Sequence, residues 1–306
     1  MTEVVFGVDV AKNWIDVSGP EGHRRIANSK LADFARGVAK CGGKVVFEAS
    51  GGCETPLRDA LAHAGVPALR VNPRRARAFA TALGRLAKTD RVDAAMLREM
   101  GLRLALPECP PETEDTRKLR ALHVRRRQLV EMRKREATRL GQTRDAVALA
   151  SIRRVLRLFE GEIGRLEDRI SALIRACPAL RARADLLRSA PGVGPVSATT
   201  LLVELPELGQ LTPGQVAALA GLAPLARDSG LREGRRRIGG GRKSLRDALY
   251  MAGLSASRHD PELRAFAERL KAKGKAPKQA IIAVARKLLV ILNAMVRDKT
   301  PFTPQV

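Results

Sequence analysis

The sequence predicts an α/β domain followed by a helical middle region and a mainly helical C-terminal region. Three observations predict it: short apolar runs alternating with helical segments before Pro107, a charged stretch with helical apolar spacing from Thr116 to about Ala176, and a PGVG turn between apolar helical stretches after Leu186. In order, VVFGVDV reads as a buried strand and WIDVSG as a second strand, reached through a turn at Ala11 to Asn13. A helix from about Ser29 to Lys40 precedes a third strand, KVVFEAS. A helical segment from Pro56 to Ala64, a short strand PALRVN, and a long helix or pair of helices from Pro73 to Leu104 complete the domain.

Pro107, Pro110 and Pro111 end regular structure, and the acids of ETED favour a helix start, which places a boundary at 112. Residues 113–183 form the middle region, with apolar Leu119, Leu122, Leu129 and Met132 and later Val155, Leu158, Ile163, Leu166, Ile170 and Leu173. That spacing predicts a helical hairpin or coiled coil, turning at Gly141 or within Ala146 to Ser151. Residues 184–306 form the third region. Its PGVG turn resembles a helix-hairpin-helix, in which glycines let backbone N–H groups approach a phosphate; short glycine turns also join helices with no chemical role.

The 306 residues carry 56 Lys plus Arg against 32 Asp plus Glu, a formal charge of +24, which points to polyanionic partners. The charge divides as +4 over 1–112, +10 over 113–190 and +10 over 191–306. Nine aromatic residues (seven Phe, Trp14 and Tyr250) are too few for a protein built on base-stacking platforms, so backbone contacts should dominate. Cys41, Cys53, Cys109 and Cys177 form no CxxC pair, and His23, His63, His123 and His259 are scattered, which gives little support to a zinc site or a disulfide framework. A reducing cytoplasm is the expected compartment. MTEVVFGVDV lacks the order of a secretory signal, and the longest apolar stretch, Ala280 to Val296, is interrupted by Arg286 and Lys287; no membrane span is expected.

Asp9 sits in an otherwise apolar strand, where an unpaired carboxylate is costly to bury, and Glu48 repeats the anomaly at the end of KVVFEAS. KTDRVDAAML places Asp90 and Asp93 three apart on one helical face. Alone, Asp90 reads as a helix cap. Together the four acids offer hard oxygen donors suited to Mg²⁺ or Mn²⁺, the ions of two-metal phosphoryl transfer.

Read together, GVDVAKNWIDV, FEASGG, VNPRRARAFA and KTDRVDAAML resemble the DEDD-type transposases of the insertion-sequence one-ten family, which includes the Piv-type DNA invertases. SAPGVGP, QVAALAGLAP and RRRIGGGRKSLRDALYMAG extend the resemblance over essentially the whole chain. It implies a RuvC-like (RNase H-like) N-terminal domain whose metal-binding acids are Asp9, Glu48, Asp90 and Asp93. It also implies a coiled-coil connection to a C-terminal transposase domain whose serine, matching Ser229 in LARDSGLREG, attacks DNA to leave a phosphoserine link.

From the residues alone, a serine before glycine in a polar loop is ordinarily a turn residue. Its surroundings are cationic: Arg227, Arg232 and Arg235, Arg236 and Arg237 offer charge to a phosphate, and no histidine lies near in sequence, which favours metal assistance. GGGRKS fails the P-loop spacing because Arg242 stands where glycine is required. Arg242, Lys243 and Arg246 instead lead a helix toward phosphate or base edges, or are solvated cations beside a structural turn.

The expected activity is metal-assisted cutting and rejoining of DNA by a mobile-element recombinase that needs no ATP. By resemblance, a structured bridge RNA pairs with donor and target double-stranded DNA, and synapsis of two duplexes implies a homodimer or tetramer. Two other readings stay open: a RuvC-like junction endonuclease using metal-activated water, and a non-catalytic architectural nucleic-acid binder.

Overall fold

In the computed structural model, which describes residues 3–49, 51–84, 89–109, 112–225 and 236–303, the first apolar run becomes the central strand of a five-stranded sheet. The strand β1 (Val5–Val10) turns through residues 11–13, closed by the Ala11 N–H on the Trp14 carbonyl at 3.0 Å, into antiparallel β2 (Trp14–Gly19). A two-residue turn leads to β3 (Gly22–Ala27), paired antiparallel with β2. The helix α1 (Leu31–Lys40) crosses to β4 (Lys44–Glu48), which lies parallel to β1; α2 (Thr55–His63) then leads to β5 (Ala68–Val71), parallel to β4. The order is β3-β2-β1-β4-β5. The helix or helix pair expected from Pro73 to Leu104 is a pair, α3 (Pro73–Ala82) and α4 (Asp90–Arg103).

Strand alternation sorts the side chains into two cores. Phe6, Val8, Ile15, Val17, Val45 and Phe47 pack with Leu31, Phe34, Leu57 and Leu61 of α1 and α2. Val5, Val46, Leu69 and Val71 pack on the opposite face with Ala76, Ala80, Met96, Leu97 and Met100 of α3 and α4. The result is a helix–sheet–helix sandwich confined to residues 1–112, one of two compact units.

Residues 113–306 form the other unit. The helices α5 (Glu114–Gln142) and α6 (Ala146–Ala176) make the expected hairpin. Its turn is at 143–145, after Gly141 and before all of Ala146 to Ser151, because the Asp145 carboxylate caps α6 by accepting the Ala148 N–H at 2.8 Å. After the hairpin come α7 (Pro178–Arg188), within which residue 183 lies, α8 (Pro195–Glu204) and α9 (Pro213–Leu219). A minimal pairing of β6 (Pro224–Leu225) with β7 (Arg237–Ile238) precedes α10 (Lys243–His259), α11 (Pro261–Ala272) and α12 (Pro277–Asp298). Leu119 and Ile170 of the hairpin share one core with Leu187, Leu201, Leu249 and Leu288. In the PGVG turn, a β-carbon on Gly192 would lie 2.3 Å from the Ala252 carbonyl oxygen, so this glycine is required for close approach to α10.

The helix α12 is long and apolar enough to cross a membrane by composition. Its Ala280, Val284, Leu288, Leu289, Leu292 and Met295 are buried in the core of this unit, the pattern of a central helix in a packed domain.

Candidate active site

The acids are assembled by the packing of α4 across β1. A β-carbon on Gly7 would fall 2.1 Å from the Ala94 carbonyl oxygen and 2.2 Å from the Arg98 nitrogen, so α4 rests on the bare backbone of the strand. Arg98 Nε also donates to the Val5 carbonyl at 3.0 Å. Asp9 is the next residue after Gly7 on that face. On the neighbouring strand Val46 pairs with Gly7, and Glu48 follows Val46 at the same spacing, which carries both carboxylates to one end of the sheet.

The helix α4 starts beside them. Its N-cap is Thr89, whose Oγ1 accepts the Val92 N–H at 3.3 Å, so Asp90 is the first helical residue and not the cap. Asp90 and Asp93 lie in the first turn, where the helix dipole favours anions. The convergence shows in the Asp9 carboxyl, which is pushed up to about 6 by burial first and then by the charges of Asp90, Asp93 and Glu48. All four acids thus share one field. Among the described residues no three of these side chains close into a metal cage. Their donor chemistry, three carboxylates whose charges act on a fourth, nevertheless suits a hard divalent cation.

A fifth carboxylate belongs to the same face. Asp16 is the cross-strand partner of Asp9, and it is only 2% exposed. It accepts hydrogen bonds from Arg25, Nη2 to Oδ2 at 2.9 Å and Nε to each oxygen at 3.2 Å, and from His23 Nε2 at 3.0 Å. Arg25 Nη2 reaches onward to Asp90 Oδ2 at 3.3 Å. Its signal in the sequence is IDV, an acid between apolar strand residues, the same local pattern as VDV around Asp9.

Of the second set of expected residues, Ser229, Arg227, Arg232 and Arg235 lie outside the described residues. The β6–β7 pairing, Pro224 with Ile238 and Leu225 with Arg237, joins the two chain segments that flank them. Arg236 and Arg237 are exposed. Arg242 is committed within the fold: it forms a two-point pair with Glu207, Nη1 to Oε2 at 2.9 Å and Nη2 to Oε1 at 2.6 Å, and bonds the Glu204 carbonyl. Lys243 pairs with Asp247 at 2.6 Å, and Arg246 Nη1 donates to the Gly240 carbonyl at 2.7 Å.

Beside Arg242 lies a node that nothing in the sequence announces. The Glu204 carboxylate accepts from His123 at 3.2 Å and Arg127 at 2.8 Å on α5, and from Ser244 on α10. Burial works to raise Glu204, but the hydrogen bonds from His123 and Ser244 and the Arg127 charge outweigh it and hold the carboxyl below its usual value. The start of α10 is thereby tied to the helical hairpin.

The pilin gene-inverting protein of Moraxella bovis is 33% identical over 248 residues, which cover 77% of this chain and 74% of that protein. Residues 6–148 match the family description "Transposase" for DEDD proteins of the IS110 type, and residues 184–268 match "Transposase IS116/IS110/IS902 family". The chain belongs to the IS116/IS110/IS902 family of transposases. This transposase is a DNA recombinase enzyme. It is also similar to the insertion element IS110 uncharacterized 43.6 kDa protein of Streptomyces coelicolor, 35% identical over 137 residues covering 44% of this chain and 33% of that protein. The insertion element IS900 uncharacterized 42 kDa protein of Mycobacterium paratuberculosis is 31% identical over 168 residues, 54% of this transposase and 41% of that protein. DNA is the substrate class the family implies, and a DEDD domain implies dependence on a divalent metal.

Proposed function

We propose that this transposase cuts and rejoins DNA strands through a phosphoserine link at Ser229, assisted by Mg²⁺ or Mn²⁺ held by Asp9, Glu48, Asp90 and Asp93 of a RuvC-like domain. The observation that carries the reading is the shared field of the four acids, expressed in the raised Asp9 carboxyl. The sheet order, an antiparallel three-stranded meander continued by two parallel strands, supports the RuvC-like assignment. When bound, the cation would supply charge stabilisation at the phosphate.

The chain's own groups supply the rest. The Ser229 hydroxyl attacks a phosphodiester phosphorus, its proton passing to the leaving deoxyribose oxygen as the strand is cut. A hydroxyl of the incoming strand then attacks the phosphoserine, returns a proton to Ser229 and reseals the backbone. One phosphodiester bond is exchanged for another, so no nucleotide fuel is consumed. Arg227, Arg232, Arg235, Arg236 and Arg237 hold phosphate through charge-assisted hydrogen bonds. Target choice is delegated to a bridge RNA, whose binding the net charge of +24 favours, and two duplexes are synapsed by a homodimer or tetramer.

The test is to incubate purified protein with Mg²⁺, labelled element-junction DNA and RNA transcribed from the element's flanks, then to look for protein-linked DNA after denaturation. Wild type forms the adduct and Ser229→Ala does not. A Ser229→Ala protein that still cuts assigns the chemistry to activated water instead, and cutting that persists after alanine replaces Asp90 or Asp93 removes the acids from it.

A further inference from the structure

Arg25 is held by three neighbours, Trp14, Asp16 and Asp90. Its guanidinium lies over the Trp14 ring, 4.7 Å from the centroid, and clasps both oxygens of buried Asp16. His23 donates to the same carboxylate and fixes it further. Arg25 shares its charge between Asp16 and Asp90, and what it extends to Asp90 is a charge-assisted N–H, at 3.3 Å. Stacking and the two-point clasp remove the rotamer freedom of a long side chain, so the sheet itself aims that N–H.

We propose that Arg25 is a positioning residue that, anchored by Asp16 and Trp14, fixes the Asp90 carboxylate through Oδ2 and so leaves Oδ1 aligned for a divalent cation. The inference rests on the metal-holding role proposed for the four acids. Partners that orient a ligand carboxylate without touching the ion govern affinity through geometry, and their loss commonly weakens binding by about 10- to 100-fold.

The full-length protein is titrated with Mn²⁺ alone, free ion being read by electron paramagnetic resonance, for wild type, Arg25→Gln, Arg25→Lys, Asp16→Asn and Arg24→Ala, with thermal unfolding recorded on each sample. Arg25→Lys retains an ion pair with Asp16 and hence the fold, but an ammonium has no planar fork with which to bridge two acids. The expected result is Mn²⁺ affinity weakened about tenfold in Arg25→Gln and Arg25→Lys alike, with Arg24→Ala, on the opposite face of β3, at the wild-type value. Asp16→Asn, which frees Arg25 and leaves its charge unmatched, weakens binding as well. Tighter binding in Arg25→Gln with wild-type affinity in Arg25→Lys would identify a mere competing charge and overturn the proposal, as would wild-type affinity in both. A wild type that takes up no Mn²⁺ overturns this inference together with the metal reading; uptake that ignores position 25 overturns this inference alone.

Discussion

Replacing Gly7 with alanine plants a methyl group where α4 meets β1. The new carbon would stand 2.1 Å from the Ala94 carbonyl oxygen and 2.2 Å from the Arg98 nitrogen, both main-chain atoms of a helix that cannot rotate aside. Ordinary contact therefore demands that α4 retreat by about 1 Å or more. That movement separates Asp90 and Asp93 from Asp9 and Glu48 and loosens Met96, Leu97 and Met100 against Val5 and Val46. Overpacking of this kind costs about 1–3 kcal/mol, and displacement of reacting groups by about 1 Å costs on the order of 100-fold in rate. The assay pairs thermal unfolding with Mg²⁺-dependent cleavage of labelled junction DNA. Cleavage should fall far more than the residual folded fraction explains. A Gly7→Ala protein with wild-type melting and wild-type cleavage would refute the contact between backbones as the device that sets the acids' spacing.

Asp9 gives a pH signature. Its folded value of about 6 lies above its ordinary 3.8, so the cation-free folded state holds the extra proton; this advantage is full below the ordinary value and is lost as pH rises through about 6. Asp9→Asn should thus melt higher than wild type at neutral pH without divalent metal, by about 1–2 kcal/mol after solvent screening, and the gap should close near pH 4. Parallel melting curves over that range would contradict the burial and the neighbouring charges as the cause of the raised carboxyl. Arg242→Ala, which breaks the two-point pair with Glu207, should destabilise the second unit by about 1–2 kcal/mol in denaturant titrations. Arg237→Ala should leave that stability within about 0.5 kcal/mol while flattening the salt dependence of DNA binding, the log–log slope changing by about 1 for one lost phosphate contact. Leu97→Ala, at a site with no solvent exposure, should cost about 2–5 kcal/mol of first-unit stability by chemical denaturation.

The strands that announce themselves in the sequence are those with buried faces: β1, β2, β4 and β5 all carry apolar runs. GHRRIA does not announce itself, because β3 is an edge strand whose residues are nearly all exposed and whose pairing is imposed by β2 through the short turn. The hairpin turn falls where no glycine marks it. Gly141 looks like a helix breaker, yet an exposed helical glycine is tolerated, and the side-chain cap at Asp145 decides where α6 begins. In the site, Asp9, Glu48, Asp90 and Asp93 were legible as acids in apolar or helix-opening contexts, and the fold brings them into one field. Asp16 was not, since its meaning depends on the cross-strand register that sets it between Asp9 and Arg25. Arg242 was legible only as a cation; that it answers Glu207 and Glu204 is a fact of tertiary structure.

The depth of α12 in the second core has a bearing on biosynthesis. Its neighbours α7, α9, α10 and α11 are all translated before it, and each packs against α12, with Leu249, Ala252 and Leu263 in the same cluster as Leu288 and Leu292. A nascent chain interrupted between α11 and α12 therefore presents the apolar faces of these neighbours without the helix that packs on them, which invites chaperones or self-association. Premature stop codons late in the reading frame should be as damaging to solubility as lesions in the middle of the core, even though they spare every acid and the serine-bearing segment.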